Sequence, residues 1–428
     1  MMSGLSINEQ GHLQLDDHDL TEIAKKYGTP LYVLSEKTIR ENCKKYVSLL
    51  KKYYKAEASV VYASKAFSCL HMYKIIKSEG MYTDVVSDGE MYTAYKSGFP
   101  MNTSIFHGNN KSYKEIELAV DLNVGRIVID NQEEIEIINK ICKDKSKCAN
   151  VMVRIKPGID AHTHKSIRTG QEDSKFGISK HDMLETIKKI LNSSNLNLCG
   201  LHCHIGSQIF EIDPFVSAAK TMISLLNDIK YKYGCLVKEL NLGGGFGVKY
   251  VDKDNPCNIE DLIRKICNEI ETSCKDFSIP LPKLYIEPGR SIISNAGLTL
   301  YEVGTIKDIP DIRKYVCIDG GMTDNPRYAL YNAEYDIINA SRADMPKKEL
   351  VTIAGKCCES GDIIAKDIYI QHPERGDILS VLCTGAYNYS MSSNYNRIAK
   401  PAVLLINEKE EKIIVRRQTL DDVITNDI

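Results

Sequence analysis

A few residues in this chain have the types and spacing for amine and proton chemistry. Lys65 stands in Tyr62-Ala63-Ser64-Lys65-Ala66-Phe67, just past a short apolar run. An amine held there and desolvated would be deprotonated enough to form an imine with a carbonyl compound. On its own it reads more simply as a solvated charge. Leu201-His202-Cys203-His204-Ile205-Gly206-Ser207 carries two imidazoles at strand alternation, which places His202 and His204 on one face. A metal set with Cys199 or Cys203 is disfavoured because those thiols would point to the other face. A ring stacked on an aromatic cofactor and a hydrogen-bonded core histidine both remain open. Leu242-Gly243-Gly244-Gly245-Phe246-Gly247 offers bare backbone N–H groups that suit a phosphate, although glycine clusters also make plain turns. Glu287-Pro288-Gly289-Arg290 sets opposite charges side by side, either as an ion pair or as a carboxylate facing a bound group. Lys356-Cys357-Cys358-Glu359-Ser360-Gly361-Asp362 offers two adjacent thiols, of which one at most faces any site and could donate a proton.

The elements that must position these residues alternate. Strands are predicted at Val60–Ala63, Thr83–Val86, Ser104–Phe106, Arg126–Ile129, Asn150–Ile155, Leu198–His204, Lys238–Leu242 and Lys283–Ile286. Amphipathic stretches at Glu115–Leu122, Glu133–Cys142, Asp182–Leu191, Phe215–Tyr233 and Ile259–Cys274 fall between them. Eight βα units suit a (β/α)8 TIM-like barrel, in which chemistry gathers at the C-terminal ends of the strands. Past residue 295 the pattern turns to short strands, at Leu298–Gly304, Tyr315–Ile318, Leu350–Ala354, Ile378–Leu382, Ala402–Ile406 and Lys412–Val415. The expected organisation is a barrel over 37–294 and a mainly β domain, a Greek-key barrel or sandwich, over 295–428. Residues 1–36, with a helix at Leu20–Tyr27 and a strand at Leu31–Leu34, are expected to pack with that β domain.

Composition excludes several classes of function. The chain has 428 residues, 43% of them hydrophobic, and a formal net charge of -2, so it presents no basic field for nucleic acid and no apolar run fit for a membrane span. The opening residues lack the pattern of a signal or transit peptide, which points to the cytoplasm. Fourteen cysteines without a CxxC pair read mostly as buried thiols.

Taken together, the motifs resemble the diaminopimelate decarboxylases, pyridoxal-phosphate (PLP) enzymes built on an alanine-racemase-like barrel with a C-terminal β domain. The resemblance runs from about Pro30 to Leu404. It rests on Tyr62–Phe67, His162–His164 with Thr169-Gly170 and Ser174–Gly177, Gly200–Ser207, Glu287–Arg290, Ile318–Arg327, Cys358–Asp362 and Gly385–Tyr387. Phe67 and Asn388 depart from the family, where Asn and Gly are common, and neither removes a group with an assigned role.

The resemblance implies that Lys65 joins the cofactor as an imine, that His204 stacks on its ring, and that Ser207, the Gly243–Gly245 loop and Gly289 bind its phosphate. Glu287, followed by Pro288, would meet the pyridine nitrogen and keep the ring a strong electron sink. Arg290, Arg327, Tyr331 and Glu359 are implied as substrate contacts, and Tyr387 as a contact to both cofactor and substrate. Cys358 is implied as the proton donor that completes a decarboxylation, with no metal. In the family Cys358 and Glu359 reach the site from a second subunit, which implies a homodimer with shared sites. A small amino acid with a distal zwitterion, meso-diaminopimelate, suits Arg327 and Glu359 together. D-lysine, D-ornithine, carboxynorspermidine or L-ornithine would make the alternative substrates, an alanine racemase or a non-catalytic homologue the alternative proteins. The stretch 160–174 is the expected lid.

Overall fold

The computed structural model describes residues 2–159 and 174–428. The motif residues His162–His164 and Thr169-Gly170, and nearly all of the expected lid, lie outside the described residues. The chain divides into two compact units, one of Cys43–Val248 with Asn255–Ser291, the other of Met1–Asn42, Lys249–Asp254 and Ile292–Ile428.

The first unit is a closed barrel of eight parallel strands. In chain order they are Ala58–Ala63, Tyr82–Val85, Ser104–Phe106, Arg126–Ile129, Ala149–Arg154, Leu196–His202, Glu239–Asn241 and Lys283–Ile286. Each pairs with its sequence neighbour, and the eighth closes on the first, with Leu284 opposite Ala58 and Ile286 opposite Val60. Strands covered on both faces carry nearly continuous apolar runs, as in Arg-Ile-Val-Ile and Val-Val-Tyr-Ala. Val61, Ile105, Val128, Met152 and Tyr285 pack as one buried cluster. Helices follow the strands, and short polar residues start them. Ser87 caps Asp88–Lys96, Ser112 forms a capping box with Glu115 ahead of Tyr113–Asp121, and Asn258 caps Ile259–Asp276.

A charge pair lies among the N-terminal ends of the strands. Arg126 opens the fourth strand and Glu239 the seventh, and the guanidinium holds the carboxylate through two bonds of 2.9 and 2.6 Å. Both side chains are largely buried, and the Tyr285 ring lies 5.6 Å from the guanidinium.

The second unit is mainly β. Its nine-stranded mixed sheet places Leu31–Ser35 centrally, antiparallel to Gly297–Ile309 and parallel to Ala402–Ile406. A strand from the N-terminal region thus completes a sheet otherwise drawn from residues past 295. Among the described residues no helix is long and apolar enough to cross a membrane.

Candidate active site

At the C-terminal ends of the barrel strands the sequence motifs converge. The first strand ends at Ala63 and the chain enters a short turn, Ser64–Ala66, that bears Lys65. Two carboxylates fix this turn. Asp84, from the second strand, accepts the Ser64 N–H at 2.8 Å, and Glu90 accepts the Ser64 hydroxyl at 2.9 Å. Burial pushes the Asp84 carboxyl well above its ordinary value, with the Lys65 cation the largest opposing influence. Lys65 itself is exposed, which corrects the expectation of a desolvated amine. The turn carries it past the end of the first strand, where its charge acts on Asp84, Glu90 and His204.

The eighth strand runs beside the first, so Glu287-Pro288-Gly289-Arg290 lies against the same turn. The Ala63 N–H donates to the Pro288 carbonyl at 3.2 Å, and a Cβ on Gly289 would meet the Ala63 side chain at 2.7 Å. Glu287 is buried at 6% exposure and accepts three bonds. On Oε1 come His107 Nε2 at 2.9 Å and Asn241 Nδ2 at 2.7 Å, and on Oε2 comes His202 Nε2 at 3.3 Å. Burial opposes its charge, but the two imidazoles bonded to it outweigh that effect and hold the carboxyl well below the usual range. A carboxylate has about four acceptor sites. Three are used among the described residues, and one on Oε2 is left.

His202 and His204 take different surroundings. His202 ends the sixth strand inside the barrel, where burial, the main cause, depresses its pKa to about 4. His204 lies past the strand end, and its Nδ1 accepts the Gly244 N–H at 3.2 Å. Burial, then the Lys65 cation, push His204 well below its ordinary pKa, so the ring is neutral. His107, His202 and Glu287 have ligand atoms within 4.8 Å of one another, the only such cluster among the described residues, and it includes neither Cys199 nor Cys203.

The glycine loop follows the seventh strand. Gly243 has φ +67°, and a Cβ there would lie 2.6 Å from the Cys203 carbonyl. A Cβ on Gly244 would collide with the Glu287 carbonyl, so the loop accepts no side chain at this point. Next to it, Arg290 donates to the Ser207 hydroxyl at 2.9 Å. Lys65, His204, Ser207, Gly243, Gly244, Gly245, Glu287, Pro288, Gly289 and Arg290 are thus gathered at one end of one unit.

The remaining predicted residues belong to the β unit. Arg327 is buried, donates to the Tyr335 hydroxyl at 2.7 Å, and lies 5.0 and 5.7 Å from the Tyr250 and Tyr335 rings. Tyr331 ends the short helix that Arg327 begins. Asn388 bonds the same Tyr335 hydroxyl and the Thr384 carbonyl, next to Tyr387, whose φ is +63°. The two adjacent cysteines separate as expected, though in a turn. Cys357 is buried with its N–H on the Asp362 carboxylate at 2.7 Å, while Cys358 is exposed with its N–H on the Asn396 side chain at 2.8 Å. Glu359 is exposed beside it. Asp362 also takes the Met322 N–H at 2.6 Å, which ties this turn to the stretch that leads to Arg327.

Sequence reasoning assigned no role to Asp84, Glu90, His107 or Asn241. His107 and Asn241 sit at strand ends as His202 does, and that shared position was the available signal.

The fold and this mouth define a class, the barrel decarboxylases that use pyridoxal phosphate. A family model described as the pyridoxal binding domain of pyridoxal-dependent decarboxylases matches residues 36–294, and the chain belongs to that family. It is 45% identical to a diaminopimelate decarboxylase of Bacillus methanolicus over 96% of both chains, and 46% identical to that of Staphylococcus aureus (strain COL) over 98% of both. A crystal structure of a diaminopimelate decarboxylase from M. jannaschii in complex with L-lysine superposes with a TM-score of 0.92. It is 34% identical and covers 100% of this chain and 99% of that one. The residues present fit the cofactor, since Glu287 keeps an acceptor for a ring N–H and Ser207, Arg290 and Gly245 offer donors for a phosphate. The Gly243 and Gly244 N–H groups are given to Asn241 Oδ1 and His204 Nδ1, which corrects the expectation that the whole loop presents bare N–H groups.

Proposed function

We propose that this chain is a carbon–carbon lyase that decarboxylates meso-2,6-diaminopimelate to L-lysine and CO2, with pyridoxal phosphate as cofactor. The observation that carries the reading is Glu287, ionised and with one acceptor left, beside the turn that bears Lys65. The relatives' names support the substrate and product.

Lys65 binds the cofactor's aldehyde. His204, neutral and oriented by the Gly244 N–H, stacks on its ring, and Ser207 with Gly245 and Gly289 holds its phosphate, while Gly243 and Gly244, whose N–H groups serve Asn241 and His204, shape the loop around it. Arg290 orients Ser207 and reaches the substrate. When bound, the cofactor supplies an electron sink for the pair released as CO2 leaves, and a full negative charge on Glu287 keeps that sink strong. Arg327, braced by Tyr250 and Tyr335, meets the distal carboxylate, and Glu359 the distal amine. Tyr331 and Tyr387 complete the contacts, and Cys358 delivers the proton to the carbon that lost CO2.

The exposed Cys358 and Glu359 support a homodimer in which each chain lends these two residues to its partner's site. Fourteen free thiols suit a reducing cytoplasm. Assays with meso-diaminopimelate, L-ornithine and D-ornithine test the substrate, and faster turnover of either ornithine overturns it. Mixing Lys65→Ala with Cys358→Ala tests the shared site. Restored activity is expected, and a mixture as inactive as its parts would refute sharing.

A further inference from the structure

The Glu287 carboxylate is served from three strands that are not neighbours of its own in every case: His107 follows the third, His202 ends the sixth and Asn241 ends the seventh. The orientation of Asn241 and the tautomer of His202 are fixed. The Asn241 Oδ1 accepts the Gly243 N–H at 2.9 Å, so its Nδ2 must face Glu287. The His202 Nδ1 is buried without a hydrogen-bond partner, so the proton sits on Nε2, where a carboxylate receives it. A proton on Nδ1 would leave a buried donor unused and turn a lone pair toward Oε2. The His107 and His202 rings are 4.6 Å apart at 57°, which brings their Nε2 atoms to different oxygens of one carboxylate.

We propose that His107, His202 and Asn241 are positioning residues that occupy three acceptor sites of Glu287 and leave the fourth, on Oε2, for the ring-nitrogen proton of pyridoxal phosphate. Asn241 has a second task. Its amide oxygen sets the first glycine of the phosphate loop, so one side chain fixes the partners of both ends of the cofactor. Oε1, with two donors, is saturated, and a carboxylate free to rotate would present either oxygen and lose the single orientation. The inference rests on Glu287 being the partner of the ring nitrogen.

The test measures affinities of the apoenzyme, prepared from the holoenzyme, for three ligands: pyridoxal phosphate, its carbocyclic analogue with C–H in place of the ring nitrogen, and pyridoxal. The wild type is expected to favour pyridoxal phosphate over the carbocycle by about tenfold or more, as for a hydrogen bond to a charged group. His107→Phe should shrink that ratio several-fold and leave the preference over pyridoxal intact, while His107→Gln, which restores a donor, recovers it. Asn241→Leu should shrink both ratios, and it supplies the second variant should His107→Phe not fold. Each ratio is taken within one protein, so a general loss of packing cancels. A wild type that binds the carbocycle as well as the cofactor refutes the reading of Glu287 itself. A wild type that discriminates, with His107→Phe and Asn241→Leu discriminating as fully, overturns the positioning role alone.

Discussion

The two ends of the barrel each bury a glutamate, and they treat its charge in opposite ways. At the N-terminal ends of the strands Glu239 is clamped by the fork of Arg126, so the charge is cancelled and both oxygens are engaged by one cation. At the C-terminal ends Glu287 is held by two imidazoles and an amide, which satisfy hydrogen bonds and leave an acceptor site. The first arrangement is closed and can only hold the structure together. The second keeps a charge available for a ligand. A buried carboxylate thus becomes functional through what its partners leave undone.

The contrast predicts where each substitution is felt. Arg126→Met leaves Glu239 buried without its cation and should cost about 3–5 kcal/mol of stability, read from the urea midpoint, with turnover of the folded fraction unchanged. The double variant Arg126→Met/Glu239→Leu should recover most of that loss, and failure to do so would mean the pair does more than compensate charge. Glu287→Gln should shift the emphasis to catalysis, with kcat of the folded protein falling about a hundred- to a thousandfold, alongside a lower melting temperature because three buried donors lose their carboxylate.

A pH series sharpens the comparison further. The pKa of His202 is depressed in the folded chain, from 6.5 to about 4, so the unfolded chain binds a proton first as pH falls. Stability is therefore full above about 6.5 and is lost as pH falls toward 4, by up to about 3 kcal/mol. The holoenzyme melting curve of His202→Gln should be flatter over that window than the wild type's, and parallel curves would refute the assignment. The smallest effect is expected at Tyr285, whose hydroxyl lies 3.4 Å from Glu239. Tyr285→Phe should lower stability by about 1 kcal/mol or less, with kcat unaltered.

Much of this was legible in the sequence because apolar runs and turn residues are local. All eight barrel strands fall within about two residues of their expected bounds, and the helix at Leu20–Tyr27 lies where its amphipathic pattern put it. The strand Ile363–Ile370 was missed. Asp367, at φ +53° within it, breaks the alternation, and the pairing register shifts beside it. The return of Lys249–Asp254 to the β unit was also hidden, since nothing in that short stretch marks it as leaving the barrel.

For the site, motif residues were readable and their supports were not. Glu287 was named, but His107 reaches it across the barrel from the third strand and Asn241 from the paired seventh, and only the assembled strands make them neighbours. Lys65 was placed correctly at the mouth and given the wrong surroundings. Its exposure and its carboxylate neighbours Asp84 and Glu90 depend on how one turn is tied down, which a linear pattern does not encode.

The pairing of the eighth strand with the first has a kinetic consequence. Ala58 and Leu284 meet across more than half of the chain, so this contact carries the largest loop-closure entropy in the barrel and forms late in folding. Lys65 and Glu287 flank that seam. Full affinity for the cofactor should then arise only after the barrel has sealed, and the rate at which a refolding chain gains it would time the last step of folding.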